Sequence, residues 1–391
     1  MLNGSKHKIK VLFPVSEGDM WLGGVNYYKN LFHAISMLEE KFFDIYVFKD
    51  NPAIFFDYAK PYDLYKKDIK YGFAKLLTIL ISGKFNKRMY CLKRASGEFD
   101  CFSHYNQPSG IIPSIGWIPD FQHKHLPELF SQEEISLRDN SFENIAKNSK
   151  AVILSSKNAF DDFVTFFPEY REKAFVLNFV SYIDPEIYNI STSVSYVNEI
   201  KQKYMIPDKY FYLPNQFWKH KNHITVFKAV NILKKQGLEV KVLCSGCTSD
   251  YRHKTHFDSL KDYISQNNLD NNIQFLGIIN LDEVYYLMRN CISIINPSLF
   301  EGWSSTVEEA KSLGKNIILS DLKVHREQNP PDGIYFEPLN VEKLASILKY
   351  KWLNKHSAPD FSLEERAKSI MNSRMRDFAM NYQKILMKAL S

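Results

Sequence analysis

The apolar positions of this chain come in two lengths. Short runs rich in Val, Ile, Leu and aromatic residues recur throughout. They are KIKVLFPV (8–15), DIYVF (44–48), KAVILS (150–155) and KAFVLN (173–178) in the first half. KYFYLP (209–214), LEVKVLCS (238–245), NIQFLG (272–277), CISIIN (291–296) and KNIILS (315–320) follow in the second. Their apolar residues run nearly unbroken rather than alternating, which is the pattern of parallel strands covered on both faces. Between them, apolar positions three and four apart predict helices over 25–38, 222–236, 280–290, 305–313 and 340–351. The alternation predicts an α/β fold of two doubly wound, Rossmann-like domains facing a cleft. The break falls in the Ser-rich, strand-poor stretch around 191–209, dividing an N-terminal domain (1–200) from a C-terminal one (201–370). FSLEERAKSIMNSRMRDFAMNYQKILMKAL is a long helical pattern with no strand after it. Its last part, 371–391, either closes the second domain or returns to brace the first.

Length supports the division, because 391 residues exceed what one ordinary core organises. No apolar run approaches the roughly 20 residues that span a bilayer, LLTILI at 76–81 being among the longest. VLFPV near the N-terminus is too short for a signal-peptide core, so a cytoplasmic protein is expected. The odd count of five cysteines fits a reducing compartment. Cys244 and Cys247 form a C-x-x-C followed by His253 and His256, but the gap is too short for a zinc finger. It reads as a thiol pair at a strand end, and no metal is expected. Charge is unevenly placed. Residues 60–94 carry ten Lys or Arg against two Asp, a local +8 within a chain of +6. Mixed with Leu and Ile, that segment suits either a solvated basic helix or peripheral contact with an anionic membrane. No nucleic-acid motif accompanies it, and nucleic acid is not an expected partner.

Ligands of open parallel sheets bind beyond the carboxyl ends of the strands, so the loops there are the ones to read. The first strand ends in VSEGDMWLGGVNYYKN, where Gly23 and Gly24 precede a predicted helix. The spacing is not the dinucleotide G-x-G-x-x-G, which counts against a nicotinamide enzyme. SIGWIPDFQHKHLPELF (114–130) sets Asp120 near His123 and His125 in a Pro-bounded aromatic loop, a pattern suited to a polar clamp or proton relay. LPNQFWKHKNHITVF crowds Lys219, His220, Lys221 and His223 at the start of a helix. Cations there oppose the helix dipole, and an anionic ligand would turn that liability into a site. NPSLFEGWSSTVEEAKSLG gathers Glu301, Glu308 and Glu309 around another helix start. Ser305-x-x-Glu308 fits a capping box, and Thr306-x-x-Glu309 fits one residue later. Under the first register Glu308 caps and Glu309 is free. Gly302 permits a tight turn, and the N–H groups at 304–306 form an anion nest. A phosphate flanked by carboxylates is expected, the carboxylates binding hydroxyls.

With Glu301 and Glu309 in EGWSSTVEE, and FLGIINLDEVYYLMRN, SIINPSLFEGW, KSLGKNIILSD and GIYFEPLNVEKL in that order, the chain resembles family 4 of the retaining glycosyltransferases. That family has the two-domain GT-B fold and a Glu-x7-Glu motif. WIPDFQH and PNQFWKHKNH also look like members that build bacterial surface polysaccharides. The resemblance is close over the second half and loose over the first. It implies a nucleotide-diphosphate sugar as co-substrate and a glycan or lipid-linked glycan as acceptor, with the acceptor in the N-terminal domain and the donor in the C-terminal one. Glu309 would hold the donor ribose, Glu301 would touch the sugar at the reacting centre, and the N–H groups of Ser304, Ser305 and Thr306 would bind the diphosphate. Lys221 matches the lysine that neutralises the leaving diphosphate. Where the family usually has Arg this chain has Asn215, so Lys219 is the candidate second cation. Ile278 and Ile279 would frame the base, Gly24 would approach donor phosphate or acceptor, and Asp120 or His123 would lie on the acceptor side. The chain has no Asp-x-Asp, the usual metal-diphosphate clamp. A nucleotide-sugar epimerase on the same fold, or a catalytically silent sugar-binding subunit, are the competing readings.

Overall fold

The computed structural model describes residues 8–14, 22–49, 51, 53–63, 97–108 and 112–391. Two parallel sheets organise it. The first takes β1 (Ile9–Phe13), β2 (Phe43–Phe48), β3 (Lys60–Tyr62), β4 (Cys101–Ser103), β5 (Ser114–Ile118), β6 (Ala151–Leu154) and β7 (Ala174–Val176) in the order 3-2-1-4-5-6-7. The second takes β8 (Phe211–Leu213), β9 (Val242–Ser245), β10 (Ile273–Gly277), β11 (Ile294–Asn296), β12 (Ile317–Ser320) and β13 (Ile334–Phe336) in the order 10-9-8-11-12-13. Every described pairing is parallel. The strand order of each sheet reverses once, between β1 and β4 and between β8 and β11. Beyond those two strand ends lie the crevices where such sheets take ligands. The central strands are buried throughout, which is why their sequences are runs of Val, Ile and Leu.

The helices that matter to the site are α1 (Leu22–Ser36), α2 (Gln132–Asn148), α3 (Lys157–Phe166), α4 (Val194–Tyr204), α5 (His223–Lys235), α6 (His256–Gln266), α7 (Leu281–Asn290), α8 (Ser305–Leu313), α9 (Lys323–Gln328), α10 (Val341–Asn354) and α11 (Phe361–Leu390). Gly23 and Gly24 fall inside the first turn of α1 rather than before it. The Ser-rich stretch around 191–209 is mostly helix. α4 docks on the second domain, Lys203 Nζ and Tyr204 Oη both reaching the buried Glu283 at 2.6 and 2.9 Å. A boundary at 200 therefore cuts through an element that belongs with the second sheet.

The 30-residue α11 does both of the things its sequence allows. Its first turns lie on the second domain, where Glu364 pairs with buried Arg289 at 2.6 Å and Arg374 Nη1 donates to Ser312 Oγ. Its later turns cross to the first, and Tyr382 Oη donates to Ser103 Oγ in β4 at 2.9 Å. Met371, Met375, Phe378, Tyr382, Ile385 and Leu386 recur three and four apart and form the buried stripe. Each such burial contributes roughly 1.5–3 kcal/mol. The result is one apolar cluster that runs from β1 through α11 to α8 and β12. Of the basic 60–94 stretch, Lys60 lies in β3 and pairs with Asp44 at 2.7 Å, while residues 64–94 fall outside the described residues. Among the described residues no helix is long and apolar enough to cross a membrane.

Candidate active site

The crevice beyond β8 and β11 is built around Asn296, the last residue of β11. Its Nδ2 donates to Ser304 Oγ at 2.8 Å, and Ser298 Oγ lies 2.7 Å from its Oδ1. These bonds fold residues 297–304 into a tight loop and present Ser304 as the N-cap of α8, its hydroxyl accepting from Val307 N. Neither Ser305 nor Thr306 caps the helix, and Glu308 does not reach back. The capping-box reading fails because Asn296 anchors the earlier serine. Ser304 N–H is also committed, donating to Gln328 Oε1 at 3.2 Å, while Gln328 Nε2 donates to Ser304 O at 2.9 Å. The expected three-residue nest shrinks to the N–H groups of Ser305 and Thr306. First-turn amides have no intrahelical acceptor, and they carry the positive end of the helix dipole.

The three carboxylates have three different surroundings. Glu301, buried in the loop, accepts from Lys221 Nζ and lies beside Ser298 Oγ, both at 2.7 Å. Burial would push its carboxyl up, but Lys221 above all, with His325 and His220, outweighs that and holds it down at about 2. Glu308, at 1% exposure, is shared by Lys311 Nζ (3.1 Å), Gln328 Nε2 (3.0 Å) and Arg374, so it ties α8 to α9 and α11. Glu309 is 8% exposed, and its carboxylate has no hydrogen-bond partner among the described residues. Burial alone raises its carboxyl to about 8. A buried, unpartnered acid costs stability and persists where a ligand supplies what is missing.

The β8 loop faces this helix start. Asn215 is buried; its Oδ1 accepts from Thr306 Oγ1 at 3.0 Å and its Nδ2 reaches Asn296 at 3.3 Å, so it holds the seat in place rather than offering a charge. Its carbonyl lies where a Cβ on Gly246 (φ +146) would sit 2.5 Å away, which fixes glycine at the neighbouring strand end. Lys221 is mostly covered and points at Glu301, whereas Lys219 is exposed, its main-chain N–H donating to Asp250 and its ammonium without a partner among the described residues. Ile278, 68% exposed, and half-buried Ile279 follow the positive-φ Gly277 that ends β10.

The first domain closes on the crevice through the loop after β5. A Cβ on Gly302 would lie 2.7 Å from both Asp120 Cβ and Pro119 O, so only glycine lets the two loops meet. Asp120 is brought beside Glu301. Burial first, and that neighbouring charge last, raise its carboxyl against the lowering by Gln122 N–H, Arg138 and His123. His123 is not part of this meeting. It is fully buried in its own domain against Phe121, Phe130 and Phe142, with Nε2 3.0 Å from Asp139. Gly24 is buried in the first turn of α1, and the strand-end loop before it, 15–21, lies outside the described residues.

Several site residues gave no signal in the sequence. Gln328 clamps Ser304 from a separate helix, and His325 beside it is buried with Nδ1 2.8 Å from Ser320 O and Nε2 without a partner among the described residues. The guanidinium of Arg252 lies 4.7 Å from the Phe130 ring of the first domain and 5.3 Å from Trp218 of the second. Its Nη1 donates to Gln122 Oε1 at 3.3 Å, and the adjacent Tyr251 Oη donates to Glu134 at 2.9 Å. On the other flank Trp303 Nε1 donates to Phe179 O, and Glu327 accepts from Lys157 N at the start of α3. The domains thus stand closed over the crevice. Only long-range pairing creates these contacts, so no local pattern announces them. The C-x-x-C flanks the β8 loop through Gly246 and Cys247, whose carbonyl accepts from Phe217 N; Cys244 is buried in β9 with its thiol pushed up, and among the described residues no three His, Cys, Asp or Glu gather as a metal set.

Residues 197–371 match the family described as glycosyl transferases group 1, a span that holds the whole β8–β11–α8 side of the crevice. No curated protein sequence matches the chain. Among solved structures, the Anabaena protein HepE in complex with UDP and glucose is similar at a TM-score of 0.66 and 15% identity, covering 97% of this chain and 99% of its own. A glycosyltransferase from Rickettsia africae (TM-score 0.60, 15% identity, 97% and 98% covered) is similar too. So is WaaG, a glycosyltransferase involved in lipopolysaccharide biosynthesis (0.59, 12% identity, 95% of both chains). At such identities the likeness shows the fold, two Rossmann-like domains in the GT-B arrangement.

Proposed function

We propose that the chain is a retaining, metal-independent glycosyltransferase that moves a sugar from a nucleotide-diphosphate sugar to a glycan or lipid-linked glycan in surface-polysaccharide synthesis. One juxtaposition carries the reading. The open N–H groups of Ser305 and Thr306 stand at the switch point of the second sheet beside Lys221, with the unpartnered Glu309 one turn further along α8. Two amides and an ammonium suit a diphosphate, and a bare buried carboxylate suits the paired hydroxyls of a ribose. The group 1 match covers these residues, and the similar HepE structure holds UDP and glucose.

In this reading Lys221 leaves Glu301 as the donor enters, and both then face the reacting centre. The bond from the anomeric carbon to the diphosphate breaks, and the acceptor oxygen bonds that carbon from the same face. The acceptor's proton passes to a diphosphate oxygen, so no protein nucleophile is required. The amides and Lys221 stabilise the charge growing on the leaving group. Asp120, pressed on Gly302, lies on the acceptor side, and closure excludes water from the donor. The basic, apolar 60–94 stretch supports a lipid-linked acceptor at the inner face of an anionic membrane.

Thermal shifts with UDP, GDP, dTDP, ADP and CMP, then with their sugars, test the reading. One diphosphate should stabilise the protein, and Glu309→Ala should abolish that shift. Unchanged nucleotide affinity in the variant, or turnover of donor that needs no acceptor and inverts a ring carbon, would overturn it.

A further inference from the structure

A second cavity lies on the far face of α8. It holds about 230 Å³ and is lined by Lys311, Gly314 and Lys315 from the end of α8, Pro331 from the turn after α9, and Arg366 and Ile370 among the α11 residues. For scale, a protein cavity of roughly 150 Å³ takes up benzene.

Its chemistry is one-sided. Four lining residues are cationic (Lys311, Lys315, Arg366 and Arg374) and none is acidic. Arg374 and Lys311 share a single carboxylate, Glu308, which does not line the cavity; Lys311 also donates to Gln328 O at 2.7 Å and Arg374 to Ser312 Oγ. Lys315 is 6% exposed, and its ammonium donates only to the carbonyls of Arg289 (3.1 Å) and Ala358 (2.7 Å). No carboxylate comes within ion-pair distance of it among the described residues; the two nearby acids are Asp360, which caps α11 through Leu363 N–H, and Glu364, which is taken by Arg289. A buried ammonium left with neutral acceptors is costly and calls for an anion. The guanidinium of Arg366 stands exposed at the rim with no partner among the described residues. Ala310, Ala367, Leu363, Ile370 and Pro331 make most of the remaining wall apolar, with Asn329 its one neutral polar side chain.

We propose that this cavity is a binding site for a small organic anion, a phosphate or carboxylate carried on a compact apolar body of benzene-like size. The anion sits among Arg366, Lys311 and Lys315, and the body lies on Ala367 and Ile370. The site is separate from the crevice at the start of α8, but the two share that helix: Thr306 and Glu309 belong to one, Lys311 to the other. The proposal does not rest on the glycosyltransferase reading.

Calorimetric titration of the full chain with phenyl phosphate tests it, with benzoate, inorganic phosphate and benzyl alcohol as the other arms. Phenyl phosphate or benzoate should bind in the micromolar to millimolar range, and more tightly than inorganic phosphate or benzyl alcohol. Which of the two anions binds better identifies the headgroup. Arg366→Glu should weaken binding roughly tenfold or more, as expected for a charge-assisted contact reversed. Ile370→Trp, at a half-exposed wall position where folding is not at stake, should block it as well. Glu309→Ala should leave it intact, so a failure of this site and a failure of the nucleotide site are told apart. Absence of binding by both aromatic anions, or binding that both cavity variants leave unchanged, overturns the proposal.

Discussion

Within nine residues, three glutamates of one helix start divide three tasks, and their surroundings rather than their spacing decide which. Glu301 is held ionised by Lys221, Glu308 is consumed by Arg374 and Lys311, and Glu309 is left bare. The sequence showed that two of them stand eight residues apart. It did not show that Glu308 is locked in place by a helix 66 residues away. Glu309 carries a testable pH dependence. With its folded pKa raised to about 8 from an ordinary 4.5, the native state keeps a proton that the unfolded chain has released. Stability therefore falls as pH rises between those two values. Glu309→Gln should remove that fall, so the empty variant should melt higher than the parent above about pH 8 and alike near pH 4.5. The difference is on the order of 5 kcal/mol. If the carboxylate is the ribose acceptor, UDP binding must expel the same proton, and affinity should strengthen from about pH 6 to about pH 8. Calorimetry at the two pH values reads this directly; a flat profile would remove Glu309 from the ribose.

At the scale of elements, α8 serves two faces at once, its first turn opening on the crevice and its last lining a basic cavity. Its helical span was legible at both ends, because the hydrophobic periodicity and Gly314 (φ +67) bracket it. Its cap was not. Three consecutive residues, Ser304, Ser305 and Thr306, can all cap, and the choice is made by Asn296 and Gln328, which meet Ser304 only in the folded chain. The strands β3, β4 and β13 were similarly silent, because KPY, CFS and IYF carry no run of Val, Ile and Leu and are defined by their neighbours. Glu308→Ala should cost roughly 3 kcal/mol, because it strands two mostly covered cations. It should leave the UDP shift of a still-folded protein in place. Chemical denaturation beside the thermal-shift panel separates this structural glutamate from Glu309, for which the opposite pattern is expected.

For the whole molecule, the parallel two-sheet plan was readable because buried parallel strands advertise themselves as apolar runs. The meeting of the domains was not readable, since Arg252, Trp218, Phe130 and Gln122 are scattered over 130 residues. Arg252→Ala removes the stack between Phe130 and Trp218 and the bond to Gln122, and should shift the molecule toward an open form. Small-angle scattering should show a larger radius of gyration for the variant in the absence of nucleotide, with the melting temperature little changed. An unaltered radius would mean that the Gly302–Asp120 meeting and the Glu327 contact hold the domains by themselves. α11 has a consequence of another kind. The aromatic cluster of the first domain is completed by Tyr382, which bonds Ser103 across 279 residues of chain. At ribosomal speeds of roughly 5–20 residues per second, β4 emerges some 15–55 s before its partner. During that interval the first sheet exposes the aromatic face that α11 will cover. The first domain is therefore synthesised first and finished last, and a nascent chain halted short of α11 is a natural client for chaperones that bind aromatic surface.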